Sequence, residues 1–144
     1  THRPRIRVRG IGGPAANEKN IYTFRVVVAN AGESEAVITN CVIEGFDHDH
    51  ANHSDRSEFP LDPCWSQGDK IKLAPGQGYA FEPRLKNWIS QQVNIRNGPL
   101  ILVGIVTYED AGGIVRHTGF ARIAIKGDYA SRVLEDYKEF EYED

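Results

Sequence analysis

The 144-residue sequence has no methionine, only two cysteines and only six leucines. Without an initiator methionine it reads as a processed chain or an excised fragment. Two cysteines, Cys41 and Cys64, do not make a disulfide scaffold. They read either as one bridge pinning a loop to a sheet or as two free thiols, with Cys41 then behaving as a small buried hydrophobe. The longest nearly unbroken apolar run, Pro99 to Val106, falls far short of a membrane span, and no signal-peptide pattern opens the chain. The formal charge of −3 argues against a general nucleic-acid binder. Phosphate-binding glycine loops, Walker patterns, Gly-x-Ser-x-Gly elbows and helical His pairs around a Glu are all missing, which removes the well-marked enzyme classes.

What is present points to strands. Ile and Val together number 24, and six Tyr and six Phe add to the β bias. Fourteen Gly and seven Pro punctuate the chain into short runs, the pattern of an antiparallel sandwich or barrel. Arg5 to Arg9 alternates cationic and apolar residues like an edge strand, and residues 10–20 read as loop. Ile21 to Asn30 is the clearest strand, with Tyr22, Phe24, Val26 and Val28 on one face. Ala36 to Phe46 reads as its returning partner across a hairpin connection. Short strands follow at Ile71 to Leu73 and Tyr79 to Pro83, and Asn87 to Asn97 is the one helix candidate before the tail. Leu100 to Tyr108 reads as a central strand buried on both sides, and Ile114 to Lys126 as the last core strand. The expected core is Phe24, Val26, Val28, Val42, Ile101, Val103, Ile105, Phe120 and Ile123, with Leu102 on the opposite face of its strand. The fold class is therefore all-β: a single immunoglobulin-like antiparallel β-sandwich domain over residues 1–144, with one short helix.

Between Asp47 and Lys70 the periodicity breaks, and the segment reads as a functional loop or variable crossover. Its first part holds His48, Asp49, His50 and His53, residue types that ligate transition metals. His48 and His50 share a face only if extended, His50 and His53 only if helical, so the bland reading is a solvated polar tip. Trp65 and Trp88 read as exposed ligand platforms or as lids on the sandwich ends. Arg116 and Arg122 are candidate anion-binding groups in a hairpin signature that includes Tyr108, Asp110, Gly113 and Thr118. No cofactor is expected.

The two ends of the chain carry opposite charge patterns. Residues 135–144 hold six acidic side chains against Lys138, and Glu139, Glu141 and Glu143 alternate with Phe140 and Tyr142. Arg5, Arg7 and Arg9 alternate in the same way, so the tail is expected to dock beside or close to the first strand and cover an open sheet edge. The competing reading leaves each end solvated and the arginines available to membrane lipid.

Several stretches resemble the soluble domain of a group of uncharacterised bacterial membrane-anchored proteins. They are Arg3-Pro4-Arg5-Ile6-Arg7-Val8, Phe24-x-Val26-x-Val28-x-Asn30-x-Gly32, Gly104-x-Val106-x-Tyr108-x-Asp110-x-x-Gly113, Thr118-Gly119-Phe120-x-Arg122 and Tyr137 to Asp144. The resemblance covers nearly the whole chain and brings no catalytic residues. A Cys commonly follows the Thr-Gly-Phe motif in that group, where Ala121 stands here. It implies one or two membrane helices preceding the domain, so the N-terminal arginines become juxtamembrane cations. The positive-inside rule then favours the cytoplasmic side. Three functions follow as expectations. The first is a non-enzymatic interaction or sensing module that meets an unknown protein or small ligand through the loop 47–70. The second is a metal-binding protein or metal-dependent enzyme built on residues 47–55. The third is a sensor of a small, nucleotide-like ligand using the tryptophans and an arginine.

Overall fold

The structure, a computed structural model, describes residues 3–16, 22–47, 65–85, 100–124 and 142–143. These residues form ten strands: β1 (Ile6–Ala16), β2 (Tyr22–Asn30), β3 (Ala36–Asp47), β4 (Trp65–Gln67), β5 (Ile71–Leu73), β6 (Gly78–Phe81), β7 (Arg84–Leu85), β8 (Leu100–Glu109), β9 (Val115–Ala124) and β10 (Tyr142–Glu143). One sheet runs β1-β2-β6, with β7 also on β2; the other runs β10-β9-β8-β3-β4, with β5 also on β3. Every ladder is antiparallel. The chain is all-β, and there is no helix among the described residues; the expected helix at 87–97 lies outside them.

The two sheets share one core. Ile6, Ile11, Phe24, Val26, Val28 and Phe81 come from the first sheet, and Ile38, Cys41, Ile43, Leu102, Val106, Tyr108 and Phe120 from the second. Strand β2 buries the face its alternation predicts, with Phe24, Val26 and Val28 all inside. Strands β3 and β8 reverse the expected parity. Cys41 and Ile43 point inward in place of Val42, and Leu102 in place of Val103 and Ile105. Val103 is nonetheless buried, in register with buried Glu44 and Ala121 on the other face. A strand apolar on both faces offers no period-two contrast, so the pattern shows burial without saying which face meets the opposite sheet. The side chains of Ile101 and Ile123 lie outside the described set.

Three further expectations are corrected. Strand β1 continues through the expected loop to Ala16, because register shifts at Val8/Gly10 and Gly12/Ala15 absorb the extra residues as bulges. An edge strand tolerates such bulges, and the Gly and Pro within it. Second, Trp65 lies in strand β4, paired with Ile43. Third, β2 and β3 are not a hairpin: they belong to different sheets, and residues 31–35 cross between them.

Asn30 makes that crossing. Its Oδ1 accepts from Arg5 N at 3.2 Å and Gly32 N at 3.0 Å, and its Nδ2 donates to Ser34 O at 2.8 Å and Leu73 O at 3.0 Å. All four hydrogen-bonding positions of a fully buried amide are thus used. Ala31 N and Glu33 N then donate to Arg5 O and Arg3 O, zipping the crossing onto the chain start. A Cβ on Gly32 would collide with the backbone of Arg3, Pro4 and Arg5, which explains the glycine.

Candidate binding edge between β1 and β9

The site begins with the alternation of β1. Ile6 is buried and Val8 packs against the core, so Arg5 and Arg7 occupy the other parity near the sandwich rim. On the second sheet, Thr118, Phe120 and Arg122 stand directly opposite Val106, Gly104 and Leu102, and therefore share the face turned towards the first sheet. Gly104 is a glycine because the Phe120 ring lies where its Cβ would be. Thr118 Oγ1 donates to Ile6 O at 2.6 Å, a buried bond that joins β9 to β1.

Strand β10 completes the edge. Tyr142 pairs with Gly119 and Glu143 with Thr118, so the Glu143 side chain shares Thr118's face and turns towards β1. There it meets two guanidinium groups. Arg5 Nη2 and Nε donate to Glu143 Oε2 at 2.9 and 3.3 Å, and Arg7 Nε donates to Oε1 at 3.2 Å. Each carboxylate oxygen thus has its own arginine. The backbone partner of β10 is β9, and β1 meets the tail through these side chains.

A cleft of ≈ 390 Å³ adjoins this clamp, lined by Arg7 and Val8 of β1, Thr118, Phe120 and Arg122 of β9, and Glu143. Arg122 is largely buried, and desolvation lowers the pKa of its guanidinium. Arginine starts so high that it stays cationic. Its Nη1 donates to Ala121 O at 3.3 Å. Cationic, planar donors beside a phenyl ring suit a carboxylate or phosphate.

The residues singled out in the sequence are dispersed. Arg122 lines the cleft. Arg116 stands six residues back on β9, with its Nε 3.6 Å from Asp110 Oδ2. Asp110 Oδ1 accepts from Gly112 N and Ile114 N, so this arginine adjoins the β8–β9 turn, where Gly113 has φ 78°. Trp65 packs edge-on against Phe81 at 6.1 Å between centroids, as a half-buried lid on the edge of the second sheet opposite β10. Trp88, His48, Asp49, His50, His53 and Cys64 lie outside the described residues, as does most of the loop 47–70. Cys41 is a buried free thiol, its pKa pushed up to about 12 by burial. Among the described residues no group of three or more His, Cys, Asp or Glu side chains is placed to hold a metal, and no helix is long and apolar enough to cross a membrane. Thr118 was visible in the sequence only as part of a hairpin signature; its bond to Ile6 O depends on how the sheets stack.

No family model and no curated protein matches the chain. Solved structures similar to it include the putative ApaA protein from Bordetella pertussis, at 12% identity and a TM-score of 0.46 over 86% of this chain and 92% of that one. A structural-genomics target, SoR45, is similar at 12% identity and a TM-score of 0.48, over 86% of this chain and 87% of that one. A protein from Archaeoglobus fulgidus is similar at 12% identity and a TM-score of 0.46, over 92% of this chain and 99% of that one.

Proposed function

We propose that this chain is a non-enzymatic interaction or sensing module, carried by a bacterial membrane-anchored protein, and that it binds at the β1–β9 edge. The observation that carries the reading is the convergence of Arg5 and Arg7 on one carboxylate at the rim of a cleft that also presents Arg122. The Thr118 hydroxyl, the one alcohol in that lining, already donates across the sheets, so the site's chemistry is recognition of negative charge. The immunoglobulin-like part of the proposal draws support from β1-β2-β6 facing β9-β8-β3, two antiparallel sheets around one core. A second reading, a sensor of a small nucleotide-like anion, draws support from Arg7 and Arg122 flanking the cleft.

The test uses the full gene product in its own cells, with a photo-reactive side chain at Val8 in the cleft or at exposed Lys72 on strand β5, which is not part of the cleft lining. The expected result is fractionation with membranes and a discrete adduct from Val8 that Lys72 does not form. A product found wholly in the soluble fraction overturns the anchored reading, and identical adducts from both positions overturn the binding edge.

A further inference from the structure

We propose that the outer face of the first sheet is a docking surface for an anionic lipid bilayer. The inference goes beyond the β1–β9 edge, and its three free arginines, Arg9, Arg25 and Arg84, do not line the cleft there.

The strands of the first sheet contain no aspartate or glutamate, in a chain whose formal charge is −3. Their charged residues are Arg7, Arg9, Arg25 and Arg84. Phe24, Val26 and Val28 are buried in the core, so Arg25, Val27 and Ala29 face outward. The register then gives each successive row one arginine. Arg7 pairs with Ala29, Arg9 is the extra residue of the bulge at Gly10 opposite Val27, Arg25 lies on β2 itself, and Arg84 pairs with Thr23. Rows on one face repeat about every 7 Å, so the series runs about 20 Å along the sheet. Arg7 is tied to Glu143 at one end. Arg9, Arg25 and Arg84 are exposed and, among the described residues, make no salt bridge. Glu82, exposed between β6 and β7, still leaves the arginines in excess.

Spacing and shape select the occupant. The series is too long for one small anion to satisfy and answers to an extended array of anions. Between the arginines the surface is low. On the rows of Ala29 and Val27 the other paired residues are Gly78, Gly10 and Ala80, none larger than valine. A protein partner needs an aromatic or similar anchor at the centre of its interface, and these rows provide none. A bilayer needs no such anchor: each arginine near its surface contributes through charge and through paired hydrogen bonds to phosphate or carboxylate. The chain's excess acid lies outside the first sheet, and a planar bilayer meets one side of the domain. Stacked sheets lie about 10 Å apart, roughly one screening length at ~0.1 M salt, so acidic groups beyond the core are screened from that surface. A nucleic acid, with phosphates on both walls of its grooves, would not keep them so far away.

The experiment uses the 144-residue chain and two double variants with the same change in charge. Arg25→Gln with Arg84→Gln alters the proposed face, and Lys70→Gln with Lys72→Gln alters exposed positions at and beside β5. All four side chains are exposed, so both variants are expected to fold. The probes are vesicles of phosphatidylserine and phosphatidylcholine in equal parts, and of phosphatidylcholine alone, read by co-sedimentation. The chain is expected to bind the phosphatidylserine vesicles at low salt and to be released as salt rises. The arginine variant should bind roughly tenfold or more weakly, and the lysine variant should change by about twofold at most. A photo-reactive side chain gives a second reading independent of both: at Ala29 it should form lipid adducts, and at Lys72 it should not. Failure to bind the phosphatidylserine vesicles overturns the proposal. Equal binding to phosphatidylcholine alone, equal loss in the two variants, or equal adducts from the two positions would each overturn it too. Binding of polyglutamate or of a DNA duplex in place of vesicles, lost in the arginine variant, assigns the face to an acidic protein or to nucleic acid instead. Soluble glycerophosphoserine that displaces the chain at the headgroup concentration of the vesicles reduces the site to one anion and removes the planar reading.

Discussion

The start of the chain is tied to the rest of the molecule at two places of opposite character. At one, the buried Asn30 amide takes the Arg5 N–H and closes a neutral, fully satisfied network with Gly32, Ser34 and Leu73. At the other, the side chains of Arg5 and Arg7, 39% and 44% exposed, share the Glu143 carboxylate. The same residue, Arg5, serves both: its backbone in the dry corner, its guanidinium at the wet rim. Buried, each hydrogen bond is expensive to leave unmade. In water, an ion pair exchanges hydration for contact at little net gain. The corner therefore determines the fold, and the rim is available for exchange.

The largest effect expected from this contrast is at the corner. Asn30→Ala removes both acceptor and both donor positions and strands Arg5 N, Gly32 N and two carbonyls in a buried site. It should cost roughly 2–4 kcal/mol, read as a lower denaturant midpoint with an unchanged slope. A loss below about 0.5 kcal/mol would mean that water reaches the corner and that the two ties do not differ in kind.

Much of this was legible in the sequence, and the failures have definite causes. Strand β2 was readable because one face of Phe24, Val26 and Val28 is apolar and the other is less so. The inward faces of β3 and β8 were not, since Val42, Ile43, Val103 and Ile105 give equal apolarity on both parities. The crossing at residues 31–35 looked like a hairpin because turn residues mark a change of direction, not the sheet in which the chain resumes. Asn30 read as an ordinary turn residue; its burial depends on Leu73, 43 positions away. The clamp left a better trace, since charges alternating at both termini share one period and opposite sign. Its partners on β9 left none, because a ladder between residues this distant has no local signal.

A medium effect separates the interior from the rim by pH. Cys41 is buried among the core side chains, and burial raises its pKa from 9.0 to about 12. In the unfolded chain the thiol ionises from about pH 9, whereas the folded chain holds its proton towards pH 12. Above pH 9 the unfolded state therefore binds fewer protons. The stabilisation is complete below pH 9 and is lost progressively as pH rises towards 12. Compared with Cys41→Ala, the unmutated chain should lose on the order of 1 kcal/mol for each pH unit across that window, regardless of salt. Parallel pH profiles for the two proteins would show that the thiol reaches solvent and that this side of the core is not dry.

The smallest effect belongs to the rim, and it has a different signature. Glu143→Gln keeps the shape of the side chain and one carbonyl acceptor but removes the charge shared by Arg5 and Arg7. Exposed pairs of this kind contribute at most about 1 kcal/mol, and two arginines on one carboxylate also repel each other. The variant should therefore melt almost where the parent does at low salt, and coincide with it at about 1 M salt, where the screening length falls to roughly 3 Å. The sensitive reading is local. Hydrogen exchange at the β9 amides that face β10 should speed up in Glu143→Gln, while the amide of Gly32, which donates to the Asn30 side chain in the corner, keeps its protection. If both regions lose protection together, the clamp and the corner open as one unit. Arg5, whose backbone N–H bonds into the corner and whose guanidinium bonds into the clamp, would then be the residue that couples them.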